Sequence, residues 1–192
     1  MPVHLYGSVA EIDKIKNLIK GRNIYLIDDC AQAHGAFESG NKANKRRVGS
    51  LSDISCFSLY PGKNLGAYGD AGVITTNNKI YYKRIKKIVN LGSSKKFSHE
   101  LVGMNNRLDT LQAIVLKHKL KKLDSLNKKR IEIAKYYNLF IKNDKIEKLL
   151  YSENSVYHQY VILVKRRKKL INAFEKNKVQ YGFHYPKALN QI

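Results

Sequence analysis

Lys63 is the residue whose setting points most directly to chemistry. It lies in Ser58-Leu59-Tyr60-Pro61-Gly62-Lys63-Asn64-Leu65-Gly66, after the apolar run Ile54 to Phe57 and before Gly72-Val73-Ile74-Thr75-Thr76. A glycine-punctuated loop between two apolar runs is a poor place for a lysine that serves only solubility. Burial makes a lysine amine nucleophilic, which Schiff-base chemistry with a carbonyl requires. The chain holds 36 lysines and arginines, so any one of them is by default a solvated charge. The flanking residues set Lys63 apart.

A second group lies upstream. Asn23-Ile24-Tyr25-Leu26-Ile27-Asp28-Asp29 reads as a buried strand ending in two carboxylates, and Cys30-Ala31-Gln32-Ala33-His34-Gly35-Ala36 follows it. In open α/β sheets, ligands sit beyond the carboxyl ends of the strands. A carboxylate there can keep a pyridinium nitrogen protonated, which makes a pyridoxal ring an electron sink. The competing role for a strand-end aspartate is a helix N-cap. Neighbouring strand residues face opposite ways, so only one of Asp28 and Asp29 can serve a ligand.

The elements that must hold these groups follow from periodicity. Val9, Ile12, Ile15, Leu18 and Ile19 have helical spacing and predict a helix over 9–20. Strands are expected at 3–5, 24–27, 54–58 and 73–76, with a helix over 80–89. A polar, basic loop fills 39–50, and 91–103 reads as irregular. One long helix is expected over 108–140, with a stripe of Leu108, Leu111, Val115, Leu116, Leu120 and Leu123 that is packing surface before it is anything chemical. A strand over 157–164 and a helix over 168–176 close the chain.

Composition bounds the function. A chain of 192 residues, 43% apolar, can bury one good core and a small lobe. Cys30 and Cys56, both in apolar settings, suggest buried thiols in a reducing compartment. No apolar run approaches the length of a membrane helix, and Met-Pro-Val-His-Leu-Tyr-Gly does not read as a signal peptide, so the cytoplasm is the expected location. The six histidines lack paired metal-ligand spacing, and no dinucleotide-binding glycine signature or nucleophile elbow is present. The net charge of +21 raises a nucleic-acid-binding reading. The basic clusters at 42–47, 83–87, 117–122 and 165–169 are dispersed and carry no nucleic-acid motif, which favours solvated lysine-rich faces. Such a field would still draw in a nucleotide diphosphate.

Five ordered segments together resemble the DegT/DnrJ/StrS family of pyridoxal-phosphate-dependent sugar aminotransferases. They are Val3-His4-Leu5-Tyr6-Gly7, Asp28-Asp29-Cys30-Ala31-Gln32-Ala33-His34-Gly35-Ala36, Ser58 to Asp70, Gly103-Met104-Asn105-Asn106-Arg107-Leu108-Asp109, and His184-Tyr185-Pro186. The resemblance implies an α/β fold of the aspartate-aminotransferase type (fold type I). Residues 1–141 would form a partial cofactor-binding large domain with its linking helix. Residues 142–192 would begin a small α+β C-terminal domain. It implies that Lys63 carries pyridoxal 5'-phosphate and shuttles protons, that Asp29 pairs with the pyridine nitrogen, and that Gln32 contacts the ring near its 3-hydroxyl. Ser58 is matched to a phosphate ligand. Asn105 is matched to an asparagine that reaches the cofactor phosphate of a neighbouring subunit, which implies a homodimer. His184 and Tyr185 match a substrate-side segment.

The implied reaction is amino transfer from glutamate to a keto group on a nucleotide-linked deoxysugar, for cell-surface polysaccharide or glycan synthesis. Asn90-Leu91-Gly92-Ser93 and the Val3 segment resemble members acting on thymidine diphosphate 3-keto-6-deoxyhexoses. The family pattern also implies further chain before Val3, with a phosphate-gripping turn and a ring-stacking residue, and further chain after Pro186. Asn190 stands where the family carries a histidine. The alternative expectation is therefore a truncated, catalytically silent family piece acting by association. Dehydratase relatives replace the lysine, and Lys63 argues against them.

Overall fold

The computed structural model describes residues 1–38 and 46–191. Most of the basic loop at 39–50 therefore lies outside the described residues. Its end is inside: the Arg46 guanidinium meets Glu38 and Asp13, and Arg47 forms a two-pronged pair with Asp124 at 2.8 and 2.7 Å. The exposed pairs with Asp13 and Asp124 contribute only about 0–1 kcal/mol each.

In chain order the elements are α1 (Ile12–Ile19), β1 (Ile27–Asp29), β2 (Ile54–Ser58), β3 (Gly72–Thr75), α2 (Lys79–Ile88), β4 (Ser93–Lys95), β5 (Ser98–His99), α3 (Thr110–Leu120), α4 (Leu123–Phe140), β6 (Ile146–Lys148), β7 (Ile162–Val164) and α5 (Arg167–Lys176). The sheet that matters for the site runs β1-β2-β3. Strands β1 and β2 are parallel, with Asp29 opposite Cys56, and β2 and β3 are antiparallel, with Ser58 opposite Gly72. At 3–5 the structure has one parallel bridge, Val3 to Asp29, rather than a strand.

Two apolar clusters hold this sheet. Ile12, Leu26, Cys30, Ala33, Ala36, Val48, Leu51 and Val156 form the first. Leu59, Ala67 and Leu116 form the second, with Leu65 and Ala71 against it. Ile12, Ile15 and Ile19 place α1 on the first cluster, whereas Leu18 is 75% exposed, so the helical stripe is narrower than the spacing predicts. The second cluster packs α3 under the Lys63 loop.

Several boundaries differ from those expected, each for a tertiary reason. Strand β1 starts three residues later than the apolar run. The Leu26 N–H bonds to the Asp53 carboxylate at 2.7 Å and the Leu26 carbonyl accepts from Asp53 and Ile54, so the ladder begins beyond them. The single helix over 108–140 is two helices, broken at Lys121-Lys122. The break lets Leu116 reach Leu59 and Ala67 while Leu123 reaches Gly35. The strand over 157–164 shrinks to Ile162–Val164 because the preceding backbone is engaged elsewhere. The Val156 N–H bonds to the Gly7 carbonyl and the Gln159 N–H to the Tyr6 carbonyl. The stretch 91–103 contains the hairpin β4–β5, whose polar residues give no alternation to read. Helix α2 starts as the sequence indicates, with the Asn78 side chain capping the N–H groups of Ile80 and Tyr81. Among the described residues, no helix is long and apolar enough to cross a membrane.

Candidate active site

Strand β1 sends its two terminal carboxylates to opposite faces. Asp28 is fully buried. It accepts from Ser52 Oγ at 2.5 Å and Ser55 Oγ at 3.4 Å, and His4 Nε2 lies 3.5 Å away. Asp29 is half-buried, and its Oδ1 accepts the Ala31 N–H at 2.9 Å. That bond aims the carboxylate and leaves its other oxygen for a ligand. Cys30 is no nucleophile: burial, then the neighbouring Asp28 charge, pushes its thiol up to about 12.

His4, Asp28 and Cys30 are also the cluster nearest to metal-binding geometry among the described residues. The tautomer of His4 argues against that use. Its Nδ1 accepts the Ala10 N–H at 3.1 Å, so the neutral ring carries its proton on Nε2, facing Asp28, and offers no lone pair there.

Beyond the carboxyl ends of β1 and β2 lie the other candidates. Gln32 is buried, and its Oε1 accepts the Tyr6 N–H at 2.5 Å, which leaves its amide N–H groups as donors. Ser58 ends β2; its carbonyl is 2.7 Å from His34 Nε2, and its Oγ accepts the Tyr60 N–H at 3.4 Å. Lys63 is half-buried in a turn closed by its own N–H to the Tyr60 carbonyl at 2.9 Å. The loop is folded tightly on itself, since a Cβ on Gly66 would overlap the Pro61 carbonyl. The glycine there serves close packing rather than flexibility.

Tyr6 joins the substrate-side segment to this group. Its N–H holds Gln32, and its hydroxyl donates to the His184 carbonyl at 2.8 Å. The His184 ring meets Gln159 Nε2 at 2.9 Å, and Tyr185 is 70% exposed beside it. Asn105 stands apart: it is exposed, bridges to Asn90, and no described contact joins it to Lys63 within the chain. Sequence reasoning missed Tyr6, Asn64, Asn127, His158 and Gln159 as parts of the site. Only Asn64, beside Lys63, and Tyr6, inside a matched segment, carried a usable signal.

Two histidines flank the lysine. Burial holds His34 down to about 4 against the opposing pull of its bond to the Ser58 carbonyl, and the Lys63 charge lowers it further. Burial, then the charges of Lys63 and Arg130, also holds His158 down to about 4. Both rings are neutral near pH 7. The unfolded chain binds the extra protons between about pH 6.5 and about pH 4, so stability is present above that window and lost as pH falls through it. For the buried His34 the expected loss is about 3 kcal/mol. Urea unfolding across that range should show the midpoint falling with acidity, and His34→Gln should flatten the slope. An unchanged slope would refute the neutral, buried ring.

A cavity of about 1060 Å³ between the β6–β7 hairpin and α5 contains none of these residues, so the chemistry is not placed there.

A mixed sheet that presents a strand-end carboxylate, an amide donor, a hydroxyl and a loop lysine is the arrangement expected of the fold-type-I class of pyridoxal-phosphate proteins, and the solved structures below have that fold. The chain belongs to the DegT/DnrJ/EryC1/StrS aminotransferase family, whose model matches residues 1–192. It is 44% identical over 188 residues to a dTDP-3-amino-3,6-dideoxy-alpha-D-galactopyranose transaminase of Aneurinibacillus thermoaerophilus, covering 97% of this chain and 50% of that protein. It is 35% identical over 189 residues to a dTDP-3-amino-3,4,6-trideoxy-alpha-D-glucose transaminase of Streptomyces venezuelae, covering 97% and 48%. The crystal structure of S. venezuelae DesV superimposes with a TM-score of 0.90 at 35% identity, over 98% of this chain and 50% of that one. NtdA from Bacillus subtilis, solved with its cofactor PMP, matches with a TM-score of 0.83 at 27% identity, over 96% and 43%. The chain thus spans about half the length of the relatives it matches. The family and its solved neighbours depend on pyridoxal phosphate.

Proposed function

We propose that this chain carries the catalytic lysine and ring-binding residues of a nucleotide-sugar aminotransferase. The observation that supports it best is the Lys63 loop directly following the carboxyl end of β2, whose parallel neighbour β1 ends in Asp29, with the Lys63 charge acting on His34 of the loop that follows β1. The donor set suits pyridoxal 5'-phosphate. Asp29 has one oxygen free for a protonated ring nitrogen, Gln32 has N–H groups free for the ring oxygen, and Ser58 offers a hydroxyl to the phosphate. A bound pyridoxal ring supplies a sink for the electron pair left when a carbon-bound proton is removed.

The residues do the rest. Lys63 would hold the cofactor through its amine, which the amino donor would displace. Its free amine would then be the base that takes the proton from the donor carbon and returns it to the cofactor carbon on the other side of the shared nitrogen. Asp29 would pair with the protonated ring nitrogen. Gln32, held by Tyr6, would offer its amide N–H groups to the ring oxygen. His184 and Tyr185 face the sugar.

The substrate is a thymidine diphosphate 3-keto-6-deoxyhexose and the donor glutamate, in the cytoplasmic synthesis of surface-glycan sugars. Two of the dTDP-aminosugar transaminases among its relatives support this choice, at 44% and 35% identity. Asn105, exposed on the far side of Asn90, faces the cofactor phosphate of a second copy in a homodimer. The cofactor-binding part extends over 1–141 and the small domain starts at 142. The test is a direct one. The chain, joined to the flanking segments that the family pattern implies, is mixed with the cofactor, glutamate and a panel of keto-sugar nucleotides, and product is read by mass spectrometry. Amino-sugar nucleotide from the 3-keto thymidine substrate is expected; transfer to 4-keto sugars alone would overturn the substrate, and no transfer at all would overturn the reaction.

A further inference from the structure

Asn64, next to Lys63, has every side-chain hydrogen-bonding atom engaged by a different part of the fold. Its Nδ2 donates to Asn127 Oδ1 at 2.9 Å and to the Val156 carbonyl at 3.3 Å. Its Oδ1 faces His158 Nδ1 at 3.0 Å. Asn127, on α4 and only 4% exposed, donates its own Nδ2 to the His34 carbonyl at 2.8 Å. The partners decide the orientations. A carbonyl must be met by an N–H, so Asn127 turns Nδ2 to His34 and Oδ1 to Asn64. Asn64 then turns Nδ2 to Asn127 and Val156, and its oxygen requires a proton on His158 Nδ1. Every bond in the chain is satisfied by one assignment.

The geometry around Asn127 is built for this contact. Gly35 has φ +82°, and a Cβ there would lie 2.9 Å from Asn127 Nδ2. No other residue type admits the approach of α4 to this loop without a shift. The chain of amides therefore connects four segments: the loop of Asp29, Gln32 and His34, the loop of Lys63, helix α4, and residues 156–158. Lys63 itself forms only a backbone turn with Tyr60 among the described residues, so its aim depends on its neighbour.

We propose that Asn64 is the positioning residue for Lys63, and that the Asn64–Asn127 amide pair locks the lysine loop to the Asp29 loop so that amine and ring-facing carboxylate move as one unit. The part that concerns catalysis rests on the assignment of Lys63 above; the coupling of the two loops does not.

Hydrogen–deuterium exchange on the full chain tests the coupling. In Asn64→Ala, the amides of Lys63, Ala67 and Val156, bonded to Tyr60, Leu59 and Gly7, should exchange about tenfold faster together, as expected for loss of a buried hydrogen bond. Leu51→Ala, which removes a fully buried side chain of the first cluster, controls for general destabilisation. Unchanged exchange in Asn64→Ala, or the same pattern in Leu51→Ala, would overturn the proposal. Should Asn64→Ala not fold, Asn127→Asp keeps an acceptor for Asn64 and replaces the donor to His34 with a carboxylate oxygen that repels the His34 carbonyl; exchange should then rise in residues 31–36, and no rise overturns the lock. Asn64→Asp adds a readout that a packing role would not move. A carboxylate facing Nδ1 should shift the NMR titration of His158 upward from about 4, and an unmoved titration would deny the contact. Labelling with pyridoxal phosphate and borohydride separates the two ideas. A wild-type chain not labelled at Lys63, but with coupled exchange, rejects the catalytic assignment and leaves the lock supported.

Discussion

Lys63→Ala should eliminate borohydride-stable cofactor at this position and lower amino transfer by about 100- to 10,000-fold or more. The size follows from two losses at one site. The amine that holds the cofactor is removed, and so is the base that stands beside the reacting carbon. The neighbouring histidines are poor replacements as bases, since both rings titrate near 4 and His34 is already bonded to the Ser58 carbonyl. Added methylamine should restore part of the proton transfer but none of the covalent capture. Peptide mapping after reduction, together with the rate of amino-sugar formation, checks both. Label retained at wild-type level in the variant would move the catalytic amine to another lysine.

Asp28→Asn and Asp29→Asn should separate stability from turnover, although the residues are adjacent. Asp29→Asn removes the charge that keeps the ring nitrogen protonated, and turnover should fall by about 100-fold or more. Its effect on folding should be small, because the bond to Ala31 needs only an oxygen. Asp28→Asn should leave turnover nearly intact and lower stability by about 1–3 kcal/mol. There the amide N–H groups would confront His4 Nε2–H or a serine donor in a fully buried site. Rates at saturating cofactor and urea midpoints for the two variants give the comparison. The reverse order, or equal losses in rate, would exchange the two roles.

The chemistry-bearing residues were legible because each is announced locally. Lys63 sits between apolar runs, the carboxylates end one, and the matched segments are short stretches of chain. Helix α2 and strand β2 were legible for the same reason: each is a short segment whose pattern lies within its own residues, the helical stretch over 80–89 and the apolar run from Ile54 to Phe57. The single long helix over 108–140 was not, because helical spacing continues through Lys121-Lys122 while the two halves pack on different clusters. Strand β1 was displaced by a side chain from residue 53, which no local pattern announces.

What the sequence by itself determined is therefore the family, the class of fold and the strand-end position of the carboxylates, with Lys63 as the candidate lysine. What only the tertiary structure decided is how these groups are held. Asp28 is turned inward by Ser52, Ser55 and His4, Gln32 is oriented by Tyr6, and Asn64 is tied to Asn127 and His158. The physical reason is range. A periodicity or a motif is written within a dozen residues, whereas Asn64 and Asn127 are 63 positions apart and Asn127 and His34 are 93. Polar side chains of this kind look like solvated surface in a sequence, and only the fold that buries them requires each donor to find its acceptor.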